Sequence, residues 1–407
     1  MKIHRFDRPH LHLSVLPLFL TFVFATAFAR NASAAIAYFV LDLGTIGGTY
    51  SVAIDINASG QTVGVTSITG NTFQRGFRTS PGGVIIAASN LGTLGGTTST
   101  AMAINASGQT VGISDIAGDA TFHAYRTTAT GGIAPGSDLG TLGGTFSQAF
   151  GINDSGQVVG AAAKLGDSIQ HAYRTSPNGM ITAASDLGTL GGSYSVGSAI
   201  NNSGQVVGEA FTTGDTGRHA YRTTPTGGIS PGADLGTLGG SMSQALAINT
   251  SGQTAGFSYL AGDVIYHAFR ISATGTLVGS DLGTLCGANS SAGSINDLGQ
   301  TVGSANTLAG SKHAFFLDQS GSMQDLNDLI PANTGWELNS ARAINDSGLI
   351  VGYGTIGGQT HGFLLTPIPE PSSLSLLALS TVLLAHRMRM MARLSVIRLT
   401  QSPAIQD

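Results

Sequence analysis

Ile104-Asn105-Ala106-Ser107-Gly108-Gln109 returns 48 residues later as Ile152-Asn153-Asp154-Ser155-Gly156-Gln157. The motif occurs seven times, with its Asn at 57, 105, 153, 201, 249, 296 and 345. The last two copies carry Leu298 in place of Ser and Leu349 in place of Gln. Working outward, a second motif, His-Ala-(Tyr/Phe)-Arg, follows each Asn by 16 to 18 residues. It is intact at His123, His171, His219 and His267 and altered at Arg75, His313 and His361. A third, Asp-Leu-Gly-Thr-Leu-Gly-Gly, starts at Asp42, Asn90, Asp138, Asp186, Asp234 and Asp281, and Asp325-Leu326-Asn327 is a decayed seventh. A period of this length marks a repeat architecture and is read before anything else.

One unit, residues 101–148, shows what the repeat folds into. Asn105-Ala106-Ser107-Gly108 is a turn, because Asn and Ser can bond back to the main chain and Gly accepts a positive φ. The short apolar stretches on either side of it form a hairpin. Phe122–Thr128 is a third strand, rich in aromatic and β-branched residues, and 133–142 holds a fourth that ends in Gly143-Gly144. No stretch runs ten residues at helical period without glycine. The chain is therefore expected to be all-β. Four strands per 40-to-50-residue unit is the pattern of a β-propeller with seven four-stranded blades. Tyr38–Leu43 is a lone copy of the fourth strand, and 341–365 supplies only the first three strands of the last unit, so the N-terminal strand is expected to close the last blade. The alternative is a right-handed β-helix or solenoid, which would need caps. Gly-Gly at the junctions lets the chain turn where a Cβ would clash.

Composition narrows the function classes. The chain has 407 residues, 59 of them Gly, with only 10% charged and 42% hydrophobic. The single Cys286 excludes an intramolecular disulfide framework and cysteine-based zinc sites. Residues 38–366 hold ten Lys and Arg against nineteen Asp and Glu, a net charge of about −9, which excludes nucleic-acid binding by charge. No phosphate-cradling loop or nucleophile elbow occurs, and no cofactor is expected.

Both ends read as addresses. Residues 1–37 have a basic start (Lys2, Arg5, Arg8), an apolar run from Leu13 to Phe28 and small residues at Ala32-Ser33-Ala34 and Ala35-Ile36-Ala37, the form of a secretory signal peptide cut by signal peptidase near Ala34 or Ala37. Residues 367–407 carry Pro369-Glu370-Pro371, a short apolar helix over 374–385, and Arg387, Arg389 and Arg393. Arginines at one end of such a helix suit the positive-inside rule and give membrane contact before processing. This arrangement resembles the PEP-CTERM sorting signal. The resemblance implies a Gram-negative host that makes exopolysaccharide and cleavage near 369–371 by an exosortase, a membrane protease-transpeptidase. The protein would be held briefly at the inner membrane and then reach the cell surface or matrix. The repeats over 38–366 resemble the HAF repeat of extracellular proteins, named for the motif seen here as His267-Ala268-Phe269. That resemblance attaches no activity to particular residues.

Chemistry-bearing candidates are few. The six equivalent histidines and the recurring Asp are expected to serve the repeat, each His donating one hydrogen bond between blades and each Asp accepting from loop N–H groups. The Asn-x-Ser sequons are expected to be turns rather than glycan acceptors. Residues that break the repeat carry more weight: Trp336, the only tryptophan, and Glu337 form a weak ligand candidate, because an aromatic platform beside an acid can hold a sugar. The expectation is an exported, non-enzymatic binding or structural protein associated with exopolysaccharide. The alternative is a carbohydrate-active hydrolase or lyase, in which Glu209, Glu337 or body aspartates meet in one funnel.

Overall fold

The computed structural model describes residues 38–319 and 321–368 and is all-β. Calls that fall on the two ends, including Ala34, Ala37, Pro369, Glu370, Pro371, Arg387, Arg389 and Arg393, lie outside the described residues. Among the described residues no helix is long and apolar enough to cross a membrane.

Each unit is an antiparallel meander of an inner, a middle and a third strand. In the first unit these are Gly47–Ile56, Thr62–Ile68 and Gln74–Arg78. The Asn turn joins inner to middle strand: Gly60 N–H donates to Asn57 O at 3.0 Å, and Gly60 sits at φ 83°, where only glycine is at ease. Gly-Gly opens the inner strand, whereas the motif pattern assigned it to the end of a fourth. The expected fourth strand is mostly reduced to single bridges such as Tyr125↔Asp138 and Tyr173↔Asp186. It is full length only at Tyr38–Asp42, which pairs over five residues with Gln359–Pro367, the third strand of the last unit. The chain's first described strand therefore completes its last sheet.

Glycine and aromatic residues explain how the strands pack. A glycine of every middle strand stands opposite an aromatic of the third: Gly64↔Phe77, Gly112↔Tyr125, Gly160↔Tyr173, Gly208↔Tyr221, Gly256↔Phe269, Gly303↔Phe315 and Gly352↔Phe363. All seven aromatic side chains are fully buried. The ring lies over the space that a Cβ would fill; a Cβ on Gly64 would come within 3.0 Å of the Phe77 ring.

Three polar latches recur between successive units, the arginine one in the first five, since Phe316 and Leu364 replace Arg in the last two. Arg126 donates to Gly179 O at 2.9 Å in the following unit, which gives the repeated Arg its function. Ala124 N–H donates to Ser147 Oγ at 2.9 Å. The Asn amide donates to the carbonyl of the next Asn: Asn57 to Asn105, then Asn153, Asn201, Asn249, Asn296 and Asn345. Asn345 donates to Asn57 O at 3.0 Å, so the series returns to its start. Six of these amides also donate to the Gln of their own turn, the exception being Asn345, whose turn carries Leu349, and Asn105 is only 3% exposed. These side chains are committed to the fold, and the sequon reading is a turn. A buried amide with this many partners is costly to lose, since each orphaned partner costs about 1–3 kcal/mol.

Candidate functional site

The inner strands carry the site. Each contains a β-bulge one residue wide: Ala149 pairs with Gly160 and Gly151 with Val159, leaving Phe150 unpaired. The bulge recurs at Ile54, Met102, Ser198, Leu246, Gly293 and Arg342. A bulge re-aims a side chain, and all seven bulged residues line one central cavity of about 450 Å³. Its wall is largely apolar, with Ser198 and Gln244 as polar members.

Two charged groups break the symmetry of this wall. Asp55 stands where the other units have Ala103, Gly151, Ala199, Ala247, Ser294 and Ala343. Its carboxylate accepts from Ile56 N–H at 2.8 Å and from Ile104 N–H of the next unit at 2.9 Å. Desolvation outweighs these two bonds and pushes its pKa up to about 6. The sign of the linkage follows: the stability tied to this carboxyl is fully present below its unfolded value and is lost as pH rises through about 6. Arg342 occupies the bulge of the last unit, and its guanidinium stacks over Tyr353, 5.4 Å from the ring centroid. The first and last units are neighbours, joined by the parallel pair Tyr50↔Thr360. Asp55 and Arg342 therefore flank the seam where the series closes. Sequence reasoning missed both. The signal was present: aligned unit against unit, each is the only charged residue in its column.

Ile152, Ile200, Ile248 and Ile295 line both this cavity and a shallower mouth at the Asn turns. Asp154, Asp297 and Asp346 line that mouth. Each accepts a backbone N–H from the preceding unit, as Asp346 does from Asp297 N–H at 2.8 Å. Their carboxylates are thus engaged in backbone bonds between units.

The other candidates lie elsewhere. Trp336 is half-buried and meets Phe363 edge-on, with centroids 6.0 Å apart. Glu337 is exposed, 3.8 Å from His313 Nε2. Glu209 is buried, pairs with Arg218 at 3.1 Å and lies 3.5 Å from Tyr194 Oη; burial pushes its carboxyl above the usual range. None of Trp336, Glu337 and Glu209 lines the central cavity or the mouth, so the two glutamates do not form a catalytic pair there.

The six histidines pair with the recurring Asp through Nδ1, as His171 does with Asp186 at 2.8 Å and His361 with Asp42 at 2.9 Å. The bond runs from the third strand to the segment that follows it, or for His361 to the N-terminal strand that takes this place, within one sheet unit rather than between units as expected. The Asp also accepts a loop N–H, as Asp138 does from Gly140 at 2.8 Å. In the first unit Arg75 and Asn90 take these places. Among the described residues no group of three or more His, Cys, Asp and Glu is arranged to hold a metal. Cys286 is exposed and stands at φ 70° where other units have glycine.

No family model matches the chain, and no curated protein does. Solved structures do. The chain is similar to a puromycin hydrolase at 14% identity, covering 80% of this chain and 53% of that one, with a TM-score of 0.49. A mutant of a puromycin hydrolase complexed with PGG matches at 14% identity over 77% and 52%, with a TM-score of 0.46. A hypothetical protein from Leishmania major matches at 14% identity over 57% and 84%, with a TM-score of 0.25. The chain spans about half the length of the hydrolase structures it matches. The first two of these neighbours are hydrolases, against the expectation of a non-enzymatic surface or matrix protein.

Proposed function

We propose that the chain is a seven-bladed β-propeller whose N-terminal strand completes the last blade, and that it is a carbohydrate-active hydrolase with its reaction centre in the central cavity. The return of the Asn series to its start and the pairing of Tyr38–Asp42 with Gln359–Pro367 support the propeller. One observation carries the activity: the symmetry-breaking Asp55 sits in the cavity wall with its pKa raised to about 6. Such a carboxyl is half protonated near pH 6, where an ordinary aspartate is ionised, and can give its proton to a leaving oxygen. In the step we assign to it, the glycosidic oxygen takes the Asp55 proton as its bond to the anomeric carbon breaks. Water adds to that carbon, and the water's proton returns to the carboxylate.

The test is reducing-end release from a panel of polysaccharides between pH 4.5 and 8. Turnover is expected to fall as pH rises through about 6. Asp55→Asn is expected to lower turnover by about 10²–10⁴-fold, the usual range for a general acid. Turnover unchanged in Asp55→Asn, or none on any glycan, overturns the assignment.

We also propose that the chain is exported and sorted, as a HAF-type repeat protein with a PEP-CTERM-like signal. The support is the sequence of the two ends. Intact mass of the protein from its host is expected to show loss near 34–37 and near 369–371; a full-length mass in every cell fraction refutes it.

A further inference from the structure

We propose that the central cavity takes a carboxylate-bearing sugar and that Arg342 is the group that recognises its carboxylate. This deepens the reading above and rests on the cavity being the site. Arg342 is the one cation among the seven bulged positions; the other six are Ile54, Met102, Phe150, Ser198, Leu246 and Gly293. It is exposed, and no salt bridge joins it to a carboxylate among the described residues. That is notable in a body with a charge of about −9, where carboxylates outnumber cations nearly two to one. Its guanidinium lies over the Tyr353 ring at the wall shared by the central cavity and a second cavity of about 310 Å³. A guanidinium fork matches a carboxylate with two parallel hydrogen bonds.

The rest of the wall suits a sugar body. Phe150 offers a half-buried ring as a stacking surface, while Ser198 and Gln244 offer hydroxyl and amide groups to ring hydroxyls. The volume of about 450 Å³ falls in the ordinary range of small-molecule sites, about 300–1,000 Å³.

The experiment is calorimetric titration of the full chain with glucuronate, glucose and acetate. Glucuronate is expected to bind at least about tenfold more tightly than glucose, a difference the size of one charge-assisted contact. Arg342→Gln is expected to level the two sugars, and Arg342→Lys to keep part of the preference, because the charge remains while the fork is lost. Circular dichroism confirms that each variant is folded. Equal binding of glucuronate and glucose to the native chain, or a preference that survives in Arg342→Gln, overturns the proposal. Acetate binding as tightly as glucuronate overturns its sugar part. Turnover is scored apart from binding: a chain that holds glucuronate through Arg342 but cleaves no glycan refutes the hydrolase and upholds this recognition. Cleavage of neutral glycans with no glucuronate preference does the reverse.

Discussion

Gly208→Ala is expected to destabilise the protein by at least about 3 kcal/mol, the upper range for overpacking against a part that cannot move. Gly208 lies in a middle strand, and a Cβ there would fall inside the contact radius of the Val196 carbonyl oxygen and within 2.9 Å of its carbon. The obstacle is backbone, held in the ladder and pressed close by the bulge at Ser198 two residues on. Tyr221 covers the same spot from the third strand. Neither a rotamer change nor a side-chain shift relieves the clash. Gly232→Ala is the control: it has open space around it, and it should change stability by less than about 0.5 kcal/mol. Denaturant unfolding of both variants checks the pair. A Gly208→Ala protein as stable as its parent would show that the inner and middle strands can separate locally without cost.

Deleting residues 38–43 is the second large effect. Tyr38 and Leu43 are 1% and 0% exposed, and Leu43 packs with Ala53, Phe77, Ile85 and Leu364. Leu43 also accepts from Ile85 N–H at 2.7 Å, and Asp42 holds His361. Removing the segment strips two large buried side chains, five residues of pairing and the bond that fixes Ile85. The two side chains alone correspond to about 4–8 kcal/mol, and the thermal midpoint is expected to fall by roughly 8–15 °C. Scanning calorimetry reads this directly. Phe39, on the same strand but 60% exposed, serves as control, and Phe39→Ser should be close to neutral. An unchanged midpoint after the deletion would mean that the last sheet stands without its closing strand.

Much of this architecture was legible because it repeats. The seven Asn turns, the three meander strands and the role of the lone Asp42-Leu43-Gly44 copy follow from turn chemistry and from counting. The fourth strand was over-read. Its Gly-Gly looks like a terminator, yet Gly95 and Gly96 open the next inner strand, and only a single bridge at Asp138 or Asp186 remains of the expected ladder. The direction of the His–Asp bond was hidden for a related reason. His171 and Asp186 are 15 residues apart in one unit, but motif order alone does not say which side of the strand the loop returns to. The site was the least legible part. Attention to what recurs passed over Asp55 and Arg342, whose meaning lies in not recurring. A one-residue bulge also leaves no mark in an alternation pattern, so nothing announced that Phe150 and Arg342 point inward while Ala149 and Ala341 pack into the sheets.

The bulge has a consequence for how such a molecule changes over time. A residue left out of the ladder has no cross-strand partner to satisfy and no part in the buried aromatic–glycine pairs. Seven such residues surround one cavity, and they already range from Gly293 through Phe150 to Arg342 on an otherwise near-identical frame. The frame and the lining are thus under separate constraints. Gene duplication can copy the frame faithfully while each copy drifts at this single position, so a new specificity is reached by substitutions that unfolding experiments would scarcely register.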